Sequence, residues 1–330
     1  MTILQAQNLK KHFRTETGII SNIRNRIRGT KPDYVHAVDG ISFKLNEGET
    51  LGIAGESGCG KSTTGMCLTK LYEPTEGEIY YRGNEYSSLS GADLDELRRN
   101  VQMIFQDPFE SLNPSMTVYE TLAEPLQIFD YDDKEERIYH MLQFVGLQPP
   151  ENHINSLPGE LSGGMRQRVA IARALVIDPD FIVADEPVSM LDVSLRAGIL
   201  SLMTDLTEEF GLSVVYISHD ISLLQHMCDR IAIMYMGEIV EIGSAREIVS
   251  DPKHPYTQAL INAVPVPNPN QDRSRVELPG EVGDAVNLPT GCRFKDRCPE
   301  YISGVCDREP KLENKSELGS DNKIRCHLYD

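Results

Sequence analysis

The stretch "TLGIAGESGCGKSTTGMCLTKL", residues 50–71, joins a short apolar run to a helical pattern through a loop that fits G-x-x-x-x-G-K-[ST]. A buried strand before such a loop and a helix after it is the setting in which this motif cradles phosphates. Gly55, Gly58 and Gly60 let the backbone N–H groups of the loop, Ser57 and Cys59 included, curl around an anion. Lys61 brings an ammonium to the β- and γ-phosphates, and Ser62, followed by Thr63, offers a hydroxyl to Mg²⁺. The helix that starts there adds the positive end of its dipole.

Outward from the loop, apolar runs alternate with helical patterns from residue 1 to about 245, the pattern of an α/β domain with a mainly parallel sheet. Buried strands are expected at 50–55, 101–106, 181–186 and 212–220, helices at 61–71, 163–176 and 195–211, and a hairpin over 230–243 with its turn near Gly237. Residues 107–160 carry amphipathic helical patterns and no strand, and read as a helical insertion. Between 14 and 37 the chain turns polar. Ile20, Ile23 and Ile27 share one helical face near Arg24, Arg26 and Arg28; a solvated loop is expected there, with a basic helix against lipid as the alternative. Beyond residue 250 the texture is rich in Pro, Asn and charge, as in a linker and a small loop-rich tail.

With 50 acidic against 32 basic residues, the 330-residue chain carries a net charge of −18, which repels a nucleic-acid backbone over most of the surface. No run approaches the ~18 apolar residues of a membrane span, and the start lacks a secretory layout, so a cytosolic setting is expected.

A second phosphate site stands about a hundred residues after the first. "GELSGGMRQRVAIARAL" (159–175) runs a Ser-Gly-Gly turn straight into a helix. "FIVADEP" ends a strand in two carboxylates: Asp185 is placed to hold Mg²⁺, and Glu186 to accept a proton from an attacking water. Gln106 ends another strand within reach of metal or water, and His219 ends a third, suited to touch the γ-phosphate.

Taken in order, "GESGCGKST", Gln106, "LSGGMRQ", "FIVADEP", "SMLD" (189–192) and His219 resemble the motif set of ABC-transporter ATPases across nearly all of residues 1–250. The resemblance implies an ABC-type P-loop ATPase domain over 1–250, with a helical subdomain at about 107–165, and an appended extension over 251–330. It implies that two such domains stack head to tail, Ser162, Gly163 and Gly164 closing on the ATP held by the other domain's P-loop. It assigns Asp192 to communication across that interface, Gln106 to coupling with membrane subunits as well as to the metal, and an aromatic near the N-terminus to adenine. Phe13 matches that aromatic position, with Tyr34 as a rival. Met190, Met165 and Arg166 depart from the commonest residues of the family, but none removes a phosphate ligand or a carboxylate.

The tail narrows the resemblance. "HPYTQALINAVP" (254–265), Pro279-Gly-Glu281 and a cysteine-rich end are similar to the extension of oligopeptide/dipeptide transporter ATPases, a branch that also includes oligosaccharide and nickel importers. This implies an ATPase, peripheral on the cytoplasmic face of the membrane, that partners a second ABC ATPase, two permeases and, indirectly, a solute-binding protein. A soluble ABC ATPase acting on nucleic acid or ribosomes is the alternative, although tandem cassettes, coiled-coil arms and basic elements are missing from the sequence. A module that only holds ATP is opposed by Glu186 and His219. Cys292, Cys298, Cys306 and Cys326 follow C-x5-C-x7-C-x19-C, which suits either a tetrahedral Zn²⁺ or a [4Fe–4S] cluster. The resemblance favours the cluster.

Overall fold

The computed structural model describes residues 1–15, 33–263, 283, 285–314 and 322–330. Ile20, Ile23, Ile27, Arg24, Arg26 and Arg28, expected in a solvated loop, and Pro279-Gly-Glu281 lie outside those residues.

Long strands β1 (Thr2–Arg14) and β2 (Tyr34–Asn46) precede β3 (Thr50–Ala54), which feeds α1 (Lys61–Leu68) through the glycine loop. Next come β4 (Glu76–Tyr81), the short β5 (Asn84–Glu85), α2 (Ala92–Asn100) and β6 (Val101–Ile104). Helices α3 (Val118–Ile128), α4 (Lys134–Phe144) and α5 (Gly163–Leu175) lead to β7 (Phe181–Asp185), α6 (Val193–Phe210), β8 (Ser213–Ser218) and α7 (Ile221–Met227). The hairpin β9 (Arg230–Tyr235) and β10 (Glu238–Ser244) is followed by α8 (Ala245–Ser250), α9 (Pro255–Ala263), β11 (Glu313–Asn314) and β12 (Lys323–Ile324).

The chain forms two compact units. The first takes Met1–Leu4, Leu45–Thr50 and Tyr81–Ile217. Its strands run β8-β7-β6, all parallel, with Phe181 opposite both Ser213 and Val101. Val183, Ala184, Val214, Val215 and Ile217 are wholly buried, as continuous apolar strands covered on both faces must be. The helical insertion is present: α3, α4 and α5 pack against one another, Leu122, Leu126, Ile138, Leu142 and Val169 on them are buried, and no strand falls between residues 105 and 162. A capping box starts α3, where Thr117 Oγ1 accepts from the Glu120 N–H (3.2 Å) and Glu120 Oε2 accepts from the Thr117 N–H (2.7 Å). Gly211 closes α6 in the left-handed region, as its sequence position predicts.

The second unit takes Gln5–Lys44, Leu51–Tyr80 and Ser218–Asp330. One sheet orders β2-β1-β4, and the other runs β11-β12-β10-β9-β3. β3 is parallel to β9, and β9 and β10 are antiparallel through a turn in which Met236 (φ 43°) and Gly237 (φ 82°) are both left-handed, the hairpin form whose twist matches its strands. The cysteine-rich tail is docked in this same unit. Phe294, 1% exposed, packs edge-on against Tyr235 at 5.3 Å and lies 5.4 Å from Tyr256 and 5.7 Å from His254.

Candidate functional site

The glycine loop is shaped by its backbone. Gly60 sits at φ 106°, and a Cβ there would stand 1.9 Å from the Ala37 carbonyl oxygen; at Gly55 it would stand 2.2 Å from that of Met234. Only glycine fits either place. The Cys59 carbonyl accepts from the Gly237 N–H over 2.9 Å, so the hairpin turn anchors the far side of the loop. Ser57 and Gly58 are exposed, whereas Lys61 is 6% exposed and donates from Nζ to the carbonyl oxygens of Gly55 (2.8 Å) and Glu56 (3.0 Å). A buried ammonium centred behind exposed backbone amides is suited to an anion. Ser62 and Thr63 are half-buried in the first turn of α1. Cys59 is fully buried and burial pushes its thiol up, so it is packing and not a nucleophile.

Phe13, near the end of β1, meets Tyr72 edge-on at 5.5 Å, and Lys11 Nζ lies 5.2 Å from the first ring and 5.3 Å from the second. Tyr34 opens β2 and is 41% exposed. His219 is exposed directly beyond β8, and Asp220 after it caps α7 by accepting from the N–H groups of Ser222 and Leu223.

In the first unit, Asp185 ends β7 with 4% exposure, and Glu186 follows at φ 43°, a left-handed backbone that is rare for glutamate. Three hydrogen bonds hold it there. The Glu186 N–H donates to Ile217 O (2.9 Å), and its carbonyl accepts from the Ser189 N–H (3.1 Å) and hydroxyl (3.0 Å). Gln106, beyond β6, donates from Nε2 to Glu186 Oε2 over 3.2 Å.

Ser162 is the N-cap of α5, its Oγ accepting from the Met165 N–H at 3.3 Å, and it is exposed. Gly163 and Gly164 lie over Leu191 and Leu195, a Cβ on Gly164 coming within 3.3 Å of Leu195 Cδ1. The signature turn is thus seated on the 189–192 loop, and Arg196 braces that loop by donating to the carbonyls of Leu191 (2.9 Å) and Ser189 (3.4 Å). Asp192 stands at the N-cap of α6 with no side-chain capping bond.

The four tail cysteines converge. The Cys292 N–H donates to Cys306 O at 2.9 Å, and Cys326 is close enough to Cys292, Cys298 and Cys306 to feel their charge. Among the described residues, no three of their sulfurs lie within 4.8 Å of one another.

Sequence reasoning missed the contacts between the tail and the loop. Arg297 Nη1 and Nη2 donate to Glu56 Oε2 (2.7 Å) and Oε1 (3.0 Å), and the Glu56 N–H donates to the Tyr256 hydroxyl (2.9 Å). Tyr256 belongs to the quoted "HPY", but an arginine 241 positions from its acid has no local signature. A second missed network centres on Asp39, which accepts from His12 Nε2 at 3.0 Å and from Arg293 Nη2 at 2.5 Å, with His36 Nδ1 at 3.5 Å. Burial pushes its carboxyl up, yet the Arg293 and His12 hydrogen bonds outweigh that and hold it below the ordinary range. His12, His36 and Asp39 are the one group of potential metal ligands brought within 4.8 Å of one another among the described residues, and the guanidinium on Asp39 makes it an ionic tie between strands and tail rather than a cation site.

Two family models match the chain: "ABC transporter" over residues 38–189, and "Oligopeptide/dipeptide transporter, C-terminal region" over 240–306. The oligopeptide transport ATP-binding protein AppF of Bacillus subtilis is 42% identical, covering 99% of this chain and 98% of its own length. The dipeptide transport ATP-binding protein DppF of Escherichia coli is 43% identical over 94% of this chain and 91% of its own. Among solved structures, a dimeric post-hydrolysis state of the ATP-binding cassette MJ0796 bound to ADP and Pi matches with a TM-score of 0.62 and 31% identity, covering 74% of this chain and 99% of that one.

Proposed function

The chain belongs to the ABC transporter family of ATP-binding proteins, in its oligopeptide/dipeptide branch, and on that premise we propose that it is the ATP-hydrolysing subunit of an importer for oligopeptides, dipeptides or a related solute. The match of residues 240–306 to the peptide-transporter C-terminal region carries the cargo reading. A soluble ATPase acting on nucleic acid or ribosomes has no reason to carry that tail. Among the described residues no helix is long and apolar enough to cross a membrane. The similarity to transport ATP-binding proteins supports a subunit that works from the cytoplasmic face against permease partners.

In this reading the loop amides of residues 55–60 and the Lys61 ammonium bind the β- and γ-phosphates of ATP, and Phe13 stacks on adenine. Ser62, Asp185 and Gln106 are the residues that would hold Mg²⁺, which would supply charge stabilisation of the phosphoryl group when bound. Glu186 accepts the proton of the attacking water, and His219 contacts the γ-phosphate. Ser162, Gly163 and Gly164 present the start of α5 to the nucleotide on a second ATPase subunit, and Asp192 lies at that interface. A dimeric cassette among the similar structures supports the arrangement. Nucleotide closes the pair and hydrolysis reopens it, which switches two permeases between outward and inward access while a solute-binding protein delivers cargo.

The tail cysteines are proposed to hold a [4Fe–4S] cluster. Four thiol donors brought near one another in the extension support it. Burial pushes the Cys292 thiol up to about 11 and the Cys326 thiol up to about 12, so ligation must release those protons.

Cells of the source organism carrying Lys61→Ala are expected to lose energy-dependent uptake of di- and oligopeptides and to keep uptake of free amino acids. Unchanged peptide uptake, with another solute lost, would reassign the cargo.

A further inference from the structure

We infer that Arg297 is a positioning residue for the phosphate-binding loop: through Glu56, the C-terminal extension sets how tightly that loop holds MgATP. The inference rests on reading residues 55–63 as the ATP site.

Glu56 is gripped at three points. Its carboxylate receives the two-pronged fork of Arg297 at 2.7 and 3.0 Å. Its N–H donates to the Tyr256 hydroxyl, and its carbonyl accepts from Lys61 Nζ at 3.0 Å. The first two partners come from the extension, and the third is the lysine of the loop. Any shift of the Glu56 main chain therefore moves an acceptor that centres the Lys61 ammonium.

The extension side of the clamp is stiff. Arg297 is 7% exposed and closes a single helical turn, Lys295–Arg297, in which its N–H bonds the Phe294 carbonyl at 3.0 Å. Phe294 is locked among Tyr235, Tyr256 and His254, and the guanidinium lies 5.9 Å from the Tyr235 ring centre. Tyr256 is wholly buried, and the chain before it is fixed because Glu241 accepts from the N–H groups of Lys253 (2.9 Å) and His254 (3.0 Å). A planar fork held this way fixes direction as well as distance, which distinguishes it from an exposed ion pair.

Charge points the same way. A carboxylate in a loop built for phosphates works against its ligand. Arg297 neutralises it, so removal of the guanidinium both frees the loop and leaves an uncompensated negative charge beside the phosphates.

The experiment uses the full chain with Arg297→Ala, Arg297→Lys, Glu56→Gln and the Arg297→Ala/Glu56→Gln pair. MgATP affinity is measured by calorimetry, KM and kcat by phosphate release, and the thermal midpoint without nucleotide alongside. Arg297→Ala is expected to raise Kd and KM for MgATP about tenfold while kcat at saturation changes less than about threefold. Arg297→Lys should recover part of the affinity, since an ammonium restores charge but not the fork. The double variant should bind no worse than Arg297→Ala, because both changes act through one contact. A tail anchor alone would lower the midpoint and leave Kd of the folded protein at the wild-type value, and that result overturns the inference. If Arg297→Ala does not fold, Arg297→Lys carries the same test: a wild-type Kd overturns it. Lys61→Ala separates the two readings, since MgATP binding that survives it sinks the assignment of the ATP site itself.

Discussion

Gln106 and Glu186, 80 positions apart in sequence, are joined by a hydrogen bond from Nε2 of the amide to Oε2 of the carboxylate, 3.2 Å long. Parallel pairing of β6 with β7, Ile104 opposite Ala184, delivers both residues to the same sheet end. The amide orients the carboxylate, so the residue proposed to couple to other subunits touches the one proposed to take the proton.

Glu186→Gln should retain MgATP binding and slow hydrolysis by about 10²- to 10⁴-fold, because the water loses its proton acceptor while the loop stays intact. Gln106→Ala, which removes the orienting bond together with a proposed Mg²⁺ ligand, should cost about tenfold or more. Single-turnover phosphate release measures both. Wild-type rates in Glu186→Gln would remove it as the base.

Ser162→Arg should leave nucleotide binding to the isolated subunit within about twofold and abolish turnover that depends on dimers, because exposed Ser162 is assigned to the other subunit's nucleotide. Mixed with Lys61→Ala, half of the composite sites in a mixed dimer become wild type and the other half carry both lesions. Recovered activity supports action in trans; none, with mixed dimers demonstrated, counts against it.

His254 makes stability fall in acid. Burial pushes its imidazole down to about 3, below the usual 6.5, and its ring nitrogen Nδ1 accepts from the Tyr256 N–H at the start of α9. The unfolded chain therefore takes up this proton first. Stability from this group is complete above about pH 6.5 and is lost as pH falls toward about 3, reaching about 2 kcal/mol at pH 5. His254→Asn keeps a side-chain acceptor without the titration. Its thermal midpoint should fall less steeply than that of wild type between pH 7 and pH 5, and parallel profiles would refute the assignment.

Protein purified without oxygen should be brown and carry about four iron atoms per chain, and Cys326→Ser should lower the iron content and the thermal midpoint together. One zinc per colourless chain would keep the four-cysteine site and discard the cluster.

Where chemistry depends on local backbone, it was legible before any fold. Gly58 (φ 79°) and Gly60 (φ 106°) take left-handed backbone angles that glycine favours, and the Ser-Gly-Gly turn reads as a helix start, where Ser162 accepts an N–H of the first turn. The strand, helix and hairpin assignments came within a few residues for the same reason, since apolar period and turn residues act over short range.

The sequence by itself therefore determined the elements and the order of the motifs. Tertiary structure alone decided which distant charges meet. Arg297 with Glu56 lies 241 positions apart, and Arg293 with Asp39 lies 254 apart. The physical reason is that a loop's dihedral angles follow largely from its own residues, whereas an ion pair across the chain depends on tertiary packing, here the cluster of Phe294, Tyr235 and Tyr256, to bring its partners together.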